Sequence, residues 1–280
     1  MEPTLTVTIG EFAITPLWDG TIDANLEGIR GLDSRVAREL IEADKARTGR
    51  DPIAMPVRAF LIRRGGRHIL VDAGTGNTKG PLTGLLPASL AAIGVRPDQI
   101  ATIVLTHIHM DHAGGLTDAA GRAVFPNAEV VLSEDEARYF LDTPVIALDA
   151  RSQRNVAAQR AILSAYGGCV RRVGDGAVVE GLQAMATPGH TPGHTGWLMR
   201  SAGETMLVLG DVVHLGAVQL PKPDTAMIYD VDPGRAAATR RRVLDWVADE
   251  RVQVAGAHLA APGIGHIVRA GDGYAFQPAA

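Results

Sequence analysis

Seven consecutive residues, Thr106-His107-Ile108-His109-Met110-Asp111-His112, constrain this chain more than any other stretch. The protein has nine histidines in 280 residues, and three of them fall here beside a carboxylate. Ala101-Thr-Ile-Val-Leu105 precedes them, an apolar, β-branched run that reads as a buried strand. Ala113-Gly114-Gly115 follows and lets the chain turn away. The cluster therefore sits where a strand gives way to a loop, a usual place for chemistry on an α/β scaffold. Imidazole with carboxylate is the ligand set of borderline divalent metals, zinc above all. His107 and His109 would diverge on a helix, but from an extended or tightly turned loop they can grip one ion. Asp111 and His112 are then free to face a second. The bland alternative is a surface loop that happens to be rich in histidine.

Three later stretches weigh against that alternative. Thr187-Pro-Gly-His190-Thr-Pro-Gly-His194 follows a strand ending at Ala186, and its Pro-Gly pairs fix rigid turns that aim a histidine back over the strand end. Leu207-Val-Leu-Gly-Asp211 is an apolar strand ending in a lone carboxylate, a costly charge unless something pairs with it. Val254-Ala-Gly-Ala-His258 is again a strand followed by a histidine. A single histidine at a strand end is most often structural; four strand ends that each deliver His or Asp point to a metal centre. Asp72 ends another strand, Val57–Ile62 pairing with His68–Val71 before it. It reads equally as a carboxylate holding a ligand histidine or as a helix cap. Asp72-Ala-Gly-Thr-Gly76 lacks the Lys-Ser/Thr of a phosphate loop and reads as a tight turn.

The remaining elements follow from periodicity and caps. Residues 4–18 read as one or two strands closed by an Asp19-Gly20 turn. Asp33 or Ser34 caps a helix to about Ala46, and Leu85–Ile93 suits another. Glu129–Leu132 is a short strand, and Ser133 with Glu136 makes a capping box for a helix over 134–141. Residues 148–166 are helical, 169–186, 197–200 and 205–209 form strands, and Asp232-Pro233 opens a helix to about Glu250. Arg240-Arg-Arg242 on that helix reads as a solvated face. Strands and helices alternate in two halves without a linker, so residues 1–280 are expected to form one layered α/β domain.

Net charge is −4, which offers no basic footprint for nucleic acid. A single cysteine, Cys169, excludes an internal disulfide and fits a reducing compartment. Residues 1–10 lack a basic segment with an apolar core, and no run of 18 apolar residues exists. A cytoplasmic protein acting on a small molecule, with no membrane partner, is the expectation.

The ordered set Thr106–His112, Thr187-Pro-Gly-His190, Gly210-Asp211 and Ala257-His258 resembles the metallo-β-lactamase superfamily. That resemblance implies a four-layer αββα sandwich with its site at one edge of two facing sheets. It implies one zinc on His107, His109 and His190, a second on Asp111, His112 and His258, and Asp211 between them. Manganese, iron or cobalt could replace zinc. His194 matches a second histidine that in the family is usually not a ligand. Gly210-Asp-Val-Val-His214, Tyr229-Asp-Val-Asp-Pro233 and His258-Leu-Ala-Ala-Pro-Gly-Ile-Gly-His266 resemble the branch containing methyl parathion hydrolase and related lactonases. Ala260-Ala261 stands where that branch usually has Pro-Phe. His214 is placed to touch substrate or to serve the structure. The resemblance also implies a homodimer, with Trp18 and the N-terminal segment as candidate contacts.

A hydrolase of this kind opens a lactone or carboxylic ester with a hydroxide shared by two metals, and Asp111 takes up the released proton. Phosphotriester hydrolysis is the alternative within the same chemistry, and a non-catalytic metal-binding protein is the alternative of another class. No Gly-x-Ser-x-Gly elbow is present. Cys169 does not match the cysteine ligand of true β-lactamases. A di-iron oxygen reductase would want a glutamate near the first motif. A nuclease would want a basic arm, and glyoxalase II a basic tail. Segments 20–56, 142–168 and 214–230 are expected to wall the pocket.

Overall fold

The computed structural model describes residues 5–76, 78, 80 and 82–279. Two seven-stranded sheets face each other. The first runs, in spatial order, Val7–Ile9, Phe12–Asp23, Ala54–Arg64, Arg67–Val71, Ile100–Val104, Glu129–Ser133 and Val170–Val173. The second runs Gly273–Pro278, Ile264–Ala270, Gln253–Ala255, Glu204–Val208, Thr195–Ser201, Leu182–Ala186 and Val178–Val179.

Alternation along the strands builds three cores from one sequence rule, because successive side chains point to opposite faces. Ile62, Val104 and Val131 point inward and meet Trp197, Met206 and Val208 of the other sheet. Their neighbours Leu61, Ile103 and Val130 point outward, against Leu90, Val156 and Leu163 of the helices Leu86–Ala92 and Ala150–Ser164. On the other side Leu207 and Val254 turn outward to Val243, Leu244 and Val247 of the helix Pro233–Asp249. Strands covered on both faces must be apolar on both, which is why these runs read as continuous rather than alternating. The result is the expected αββα sandwich. Each buried aliphatic side chain contributes roughly 1.5–3 kcal/mol.

Caps set the helix starts as expected. Asp33 accepts from Arg35 N and Val36 N, and Asp232 accepts from Arg235 N. Among the described residues no helix is long and apolar enough to cross a membrane.

Two local expectations are corrected. Asp19-Gly20 is not a turn: the strand Phe12–Asp23 continues through it with a register shift between Trp18 and Gly20. Asp19 is buried there and accepts from Thr75 N and Leu86 N, which ties the strand to the segment after Asp72. Arg240 is not solvated, although Arg241 and Arg242 are exposed. Its guanidinium is fully buried and donates to the carbonyls of Val212, Pro223 and Thr225. It thereby pins the segment that follows Asp211.

Candidate metal centre

Five strands end at one edge of the sandwich. Val71, Val104, Ala186, Val208 and Ala255 are their last residues, and each is followed within five residues by a site side chain: Asp72, His107, His190, Asp211 and His258. Arg67–Val71 and Ile100–Val104 run parallel, as do Glu204–Val208 and Gln253–Ala255. Parallel neighbours put their carboxyl ends together, so the topology delivers these side chains to one place. Two cross-sheet bonds hold the edge shut: Trp197 Nε1 donates to Leu105 O at 3.1 Å, and Thr195 N to Thr106 O at 2.9 Å.

His107 Nε2, His109 Nδ1 and His190 Nε2 form a triangle with sides of 3.1, 2.8 and 3.2 Å. Asp211 Oδ2 lies 3.2 Å from His190 Nε2 and 3.6 Å from His107 Nε2. Three ring nitrogens cannot all hydrogen bond to one another. Nitrogens bound about 2.0–2.1 Å from a tetrahedral ion would, however, sit about 3.3 Å apart. The second cluster is Asp111, His112 and His258. Asp211 Oδ1 lies 3.0 Å from His112 Nε2 and 3.2 Å from His258 Nε2, and Asp111 Oδ2 lies 3.9 Å from His258 Nε2. His112 Nε2, His258 Nε2 and Asp211 Oδ1 are all buried, and none has a hydrogen-bond partner. Orphaned polar atoms are rare in protein interiors. Three pointing at one spot, with Asp211 reaching both clusters, fit a pair of cations. The donors are imidazole and carboxylate, which suits a divalent transition metal.

Four of the five rings are aimed through their other nitrogen. His112 Nδ1 bonds Asp72 Oδ2 at 2.8 Å, His190 Nδ1 bonds Asp230 Oδ1 at 3.0 Å, and His258 Nδ1 donates to Pro56 O at 2.7 Å. His107 Nδ1 lies 3.0 Å from Thr106 Oγ1. Asp72 is therefore a carboxylate that holds a histidine, not a helix cap. Its backbone has φ of 60°, a strained value for a non-glycine residue. Bonds from Thr106 N and Oγ1 to its carboxylate over-determine that geometry.

His194 stands outside both clusters. Its Nε2 accepts from Asp211 N at 2.9 Å, and its Nδ1 lies 2.8 Å from Thr187 Oγ1. It positions the backbone of Asp211. Gly210 is needed for that approach: it has φ of +52°, and a Cβ there would lie 2.6 Å from His194 Nε2.

Two positioning residues escaped the sequence reading. Asp230, buried beside His190, is one; it also accepts from Met227 N. Glu136 is the other. Ser133 does accept from Glu136 N, but the Glu136 carboxylate does not close a capping box. It accepts instead from Ile108 N at 3.0 Å, Thr191 Oγ1 at 2.6 Å and Gly193 N at 3.2 Å. One fully buried carboxylate thus ties the loop of His107 and His109 to the loop of His190.

Burial pushes each buried imidazole toward its neutral form, and at His107 and His109 burial prevails, so both lie well below the ordinary histidine value. At His190, burial is outweighed by Asp211 and Asp230, which bring it up to about 9. His112, between Asp211 and Asp72, is raised despite its burial. Burial pushes Asp111 up, but His112 and His258 outweigh it and bring its carboxyl down to about 2. Burial lowers His194 to about 3, consistent with a neutral ring accepting at Nε2.

A cavity of about 380 Å³ opens over the centre. It is lined by His109, Asp111, His190, Asp211 and His214, and by residues of each segment expected to wall it: Met55, Arg151 and Tyr229 among them. Leu82, outside those segments, also lines it. His214 is 2% exposed, its Nε2 lies 3.0 Å from Asp211 Oδ2, and neither ring nitrogen has a hydrogen-bond partner.

Comparison with known proteins identifies the family. The hydrolase AbOPH of the beta lactamase superfamily is 31% identical, with a TM-score of 0.92 over 100% of this chain and 98% of that one. AidC, a dizinc quorum-quenching lactonase solved with a bound product, is 27% identical, with a TM-score of 0.89 over 99% and 97%. The N-acyl homoserine lactonase AiiA of Bacillus thuringiensis subsp. kurstaki is 24% identical over 216 residues, 70% of this chain and 78% of that protein. A sequence profile of the metallo-beta-lactamase superfamily matches residues 53–276, which takes in every strand-end histidine and aspartate described above, and the chain belongs to that superfamily.

Proposed function

We propose that the chain, as one domain, is a dinuclear-metal hydrolase that opens lactones or carboxylic esters. His107, His109 and His190 hold one ion, Asp111, His112 and His258 the second, and Asp211 spans both. Zinc is the proposed metal, and manganese, iron or cobalt fit the same donors. The observation that carries the reading is the convergence of buried His112 Nε2 and His258 Nε2 within 3.2 Å of Asp211 Oδ1, all three without a hydrogen bond, beneath an open cavity. Likeness to lactonases such as AidC and AiiA supports the substrate class.

Two such ions supply Lewis acidity for the substrate oxygen and bring the pKa of water to about 7. The chain's own groups do the rest. Asp72, Asp230 and the Pro56 carbonyl fix the orientation of the ligand rings. Asp111 belongs to the second cluster and also lines the cavity, with its side chain 16% exposed. Its carboxylate takes up, in this proposal, the proton released during hydrolysis. His214, in the cavity wall with Nε2 3.0 Å from Asp211 Oδ2 and Nδ1 buried without a hydrogen bond, is proposed to hydrogen bond the substrate.

The test is hydrolysis by zinc-loaded protein of N-acyl homoserine lactones, aryl esters and phosphotriesters, compared by kcat/KM. Lactones or esters are expected to lead. A lead by phosphotriesters would move the substrate class to the alternative reading. Stoichiometric metal binding with no hydrolysis of any of the three would leave a metal-binding protein and overturn the proposal.

A further inference from the structure

The cavity has two unlike patches. Ile22 and Met55 pair across neighbouring strands, and Leu82, 72% exposed, is held beside them by the bond from Thr21 N to Leu82 O. These three make an apolar patch. His214, Tyr229 and Arg151 make a polar one. The His214 and Tyr229 ring centroids are 5.8 Å apart, and the Arg151 guanidinium lies 4.6 Å from the Tyr229 ring centroid. Tyr229 is pinned by a bond from Asn25 N to its hydroxyl at 3.1 Å. Arg151 is fixed at the start of its helix, where its backbone N donates to Asp149.

The guanidinium itself is uncommitted. Among the described residues no hydrogen bond or ion pair reaches it, and its Nε is buried without a partner. An ordinary surface arginine keeps its donors in water. Here stacking on Tyr229 orients the fork, and burial has removed water from Nε, which is costly if nothing replaces it. Three carboxylates also line the cavity, but Asp111 and Asp211 belong to the metal clusters and Asp23 makes no ion pair with Arg151. The missing partner is an acceptor oxygen that arrives with a ligand. A guanidinium serves one or two such oxygens well, because its donors are coplanar and always charged.

We infer that Arg151 is a specificity-determining residue that binds an acceptor oxygen on the arm of the substrate remote from the reacting bond. The preferred substrate is then an ester or lactone whose non-reacting arm carries a carbonyl or carboxylate oxygen together with an apolar stretch. The acceptor lies on Arg151 above Tyr229, and the apolar stretch lies on Ile22, Met55 and Leu82. This inference rests on the hydrolase reading above and goes beyond it by naming what the arm must carry.

The experiment uses three metal-loaded proteins: wild type, Arg151→Gln, and Arg154→Gln as an exposed control on the same helix. Three matched lactones or esters of equal length are compared, with an alkyl arm, an arm bearing an amide carbonyl, and an arm ending in a carboxylate. Arg151→Gln should lower kcat/KM by about 10- to 100-fold on at least one acceptor-bearing substrate, mainly through KM, and at least tenfold less on the alkyl one. Arg154→Gln should not separate the three. A loss confined to the amide arm identifies a carbonyl ligand, and one confined to the carboxylate arm an anion. Equal losses on all three substrates overturn the inference. Calorimetric titration of three acids of equal length, a fatty acid, an N-acyl amino acid and a dicarboxylic acid, provides a readout independent of turnover. Arg151→Gln should weaken at least one of the last two about tenfold more than the fatty acid, even if none of the substrates is hydrolysed. Equal weakening of all three overturns the inference by this route too.

Discussion

Metal binding to this site should be steeply pH-dependent, and the slope follows from which imidazoles hold protons before the metal arrives. His107 and His109 lie well below the ordinary value and are neutral at pH 7. Asp111 and Asp230, each down at about 2, are ionised. His190, at about 9, and His112, also raised, carry protons. A metal takes the neutral ring, so loading must displace two protons. While pH stays below about 9, the His190 proton alone makes affinity rise about tenfold per pH unit, or about 100-fold from pH 6 to 8, and the raised His112 steepens that slope. Displacing the His190 proton at pH 7 costs about 3 kcal/mol, two pH units at 1.36 kcal/mol each. The metal-free fold should respond with the opposite sign. His190 is raised above its unfolded value, so its contribution is fully present below pH 6.5 and is lost as pH rises through about 9. Competition titrations with a chromophoric chelator at pH 6, 7 and 8, together with proton release in weak buffer, measure the first slope. Thermal melts of chelator-treated protein measure the second. Asp230→Asn removes part of what holds the His190 proton, and should make the metal-affinity slope shallower. A pH-independent affinity with no proton released would refute the charge assignment of the whole cluster.

Asp111→Asn keeps one coordinating oxygen but removes the basicity; turnover should fall by about 10²–10⁴, and excess zinc should refill the site without restoring the rate. Full recovery with zinc would make Asp111 a ligand only. Glu136→Ala leaves Ile108 N, Thr191 Oγ1 and Gly193 N without their acceptor, and metal affinity should drop about 10- to 100-fold although no candidate ligand has changed. Glu136→Gln should recover part of that loss, and unchanged affinity in Glu136→Ala would remove its positioning role. His194→Ala should cost about 1–3 kcal/mol of stability by leaving the buried Asp211 N–H unpaired. Chemical denaturation of the metal-free protein reads this, and an unaltered midpoint would mean that water replaces the ring.

The site histidines and Asp211 were legible because their chemistry is written in short range. Each follows an apolar run that reads as a strand, and parallel strands share an end by topology. The four layers were legible for the same reason, since the two-residue period at Leu61-Ile62 and Ile103-Val104 assigns each side chain to a face. Arg240 shows where local reading stops. Three consecutive arginines on a helix look solvated, and nothing nearby in sequence reveals that three backbone carbonyls 15 to 28 residues upstream need donors.

Asp230 and Glu136 carry this limit to the site. Asp230 lies two residues before Asp232, which caps the following helix, so a single acidic stretch contains one residue with a local role and one whose partner is 40 residues away. Glu136 is harder still, because it sits where a capping box would place it. Ser133 fulfils its half of that motif, while the carboxylate turns to donors 28, 55 and 57 residues distant. A local rule and a remote requirement select the same residue type at the same position. What separates them is the 2.6 Å between the Glu136 carboxylate and Thr191 Oγ1, a distance that exists only once the two sheets have closed.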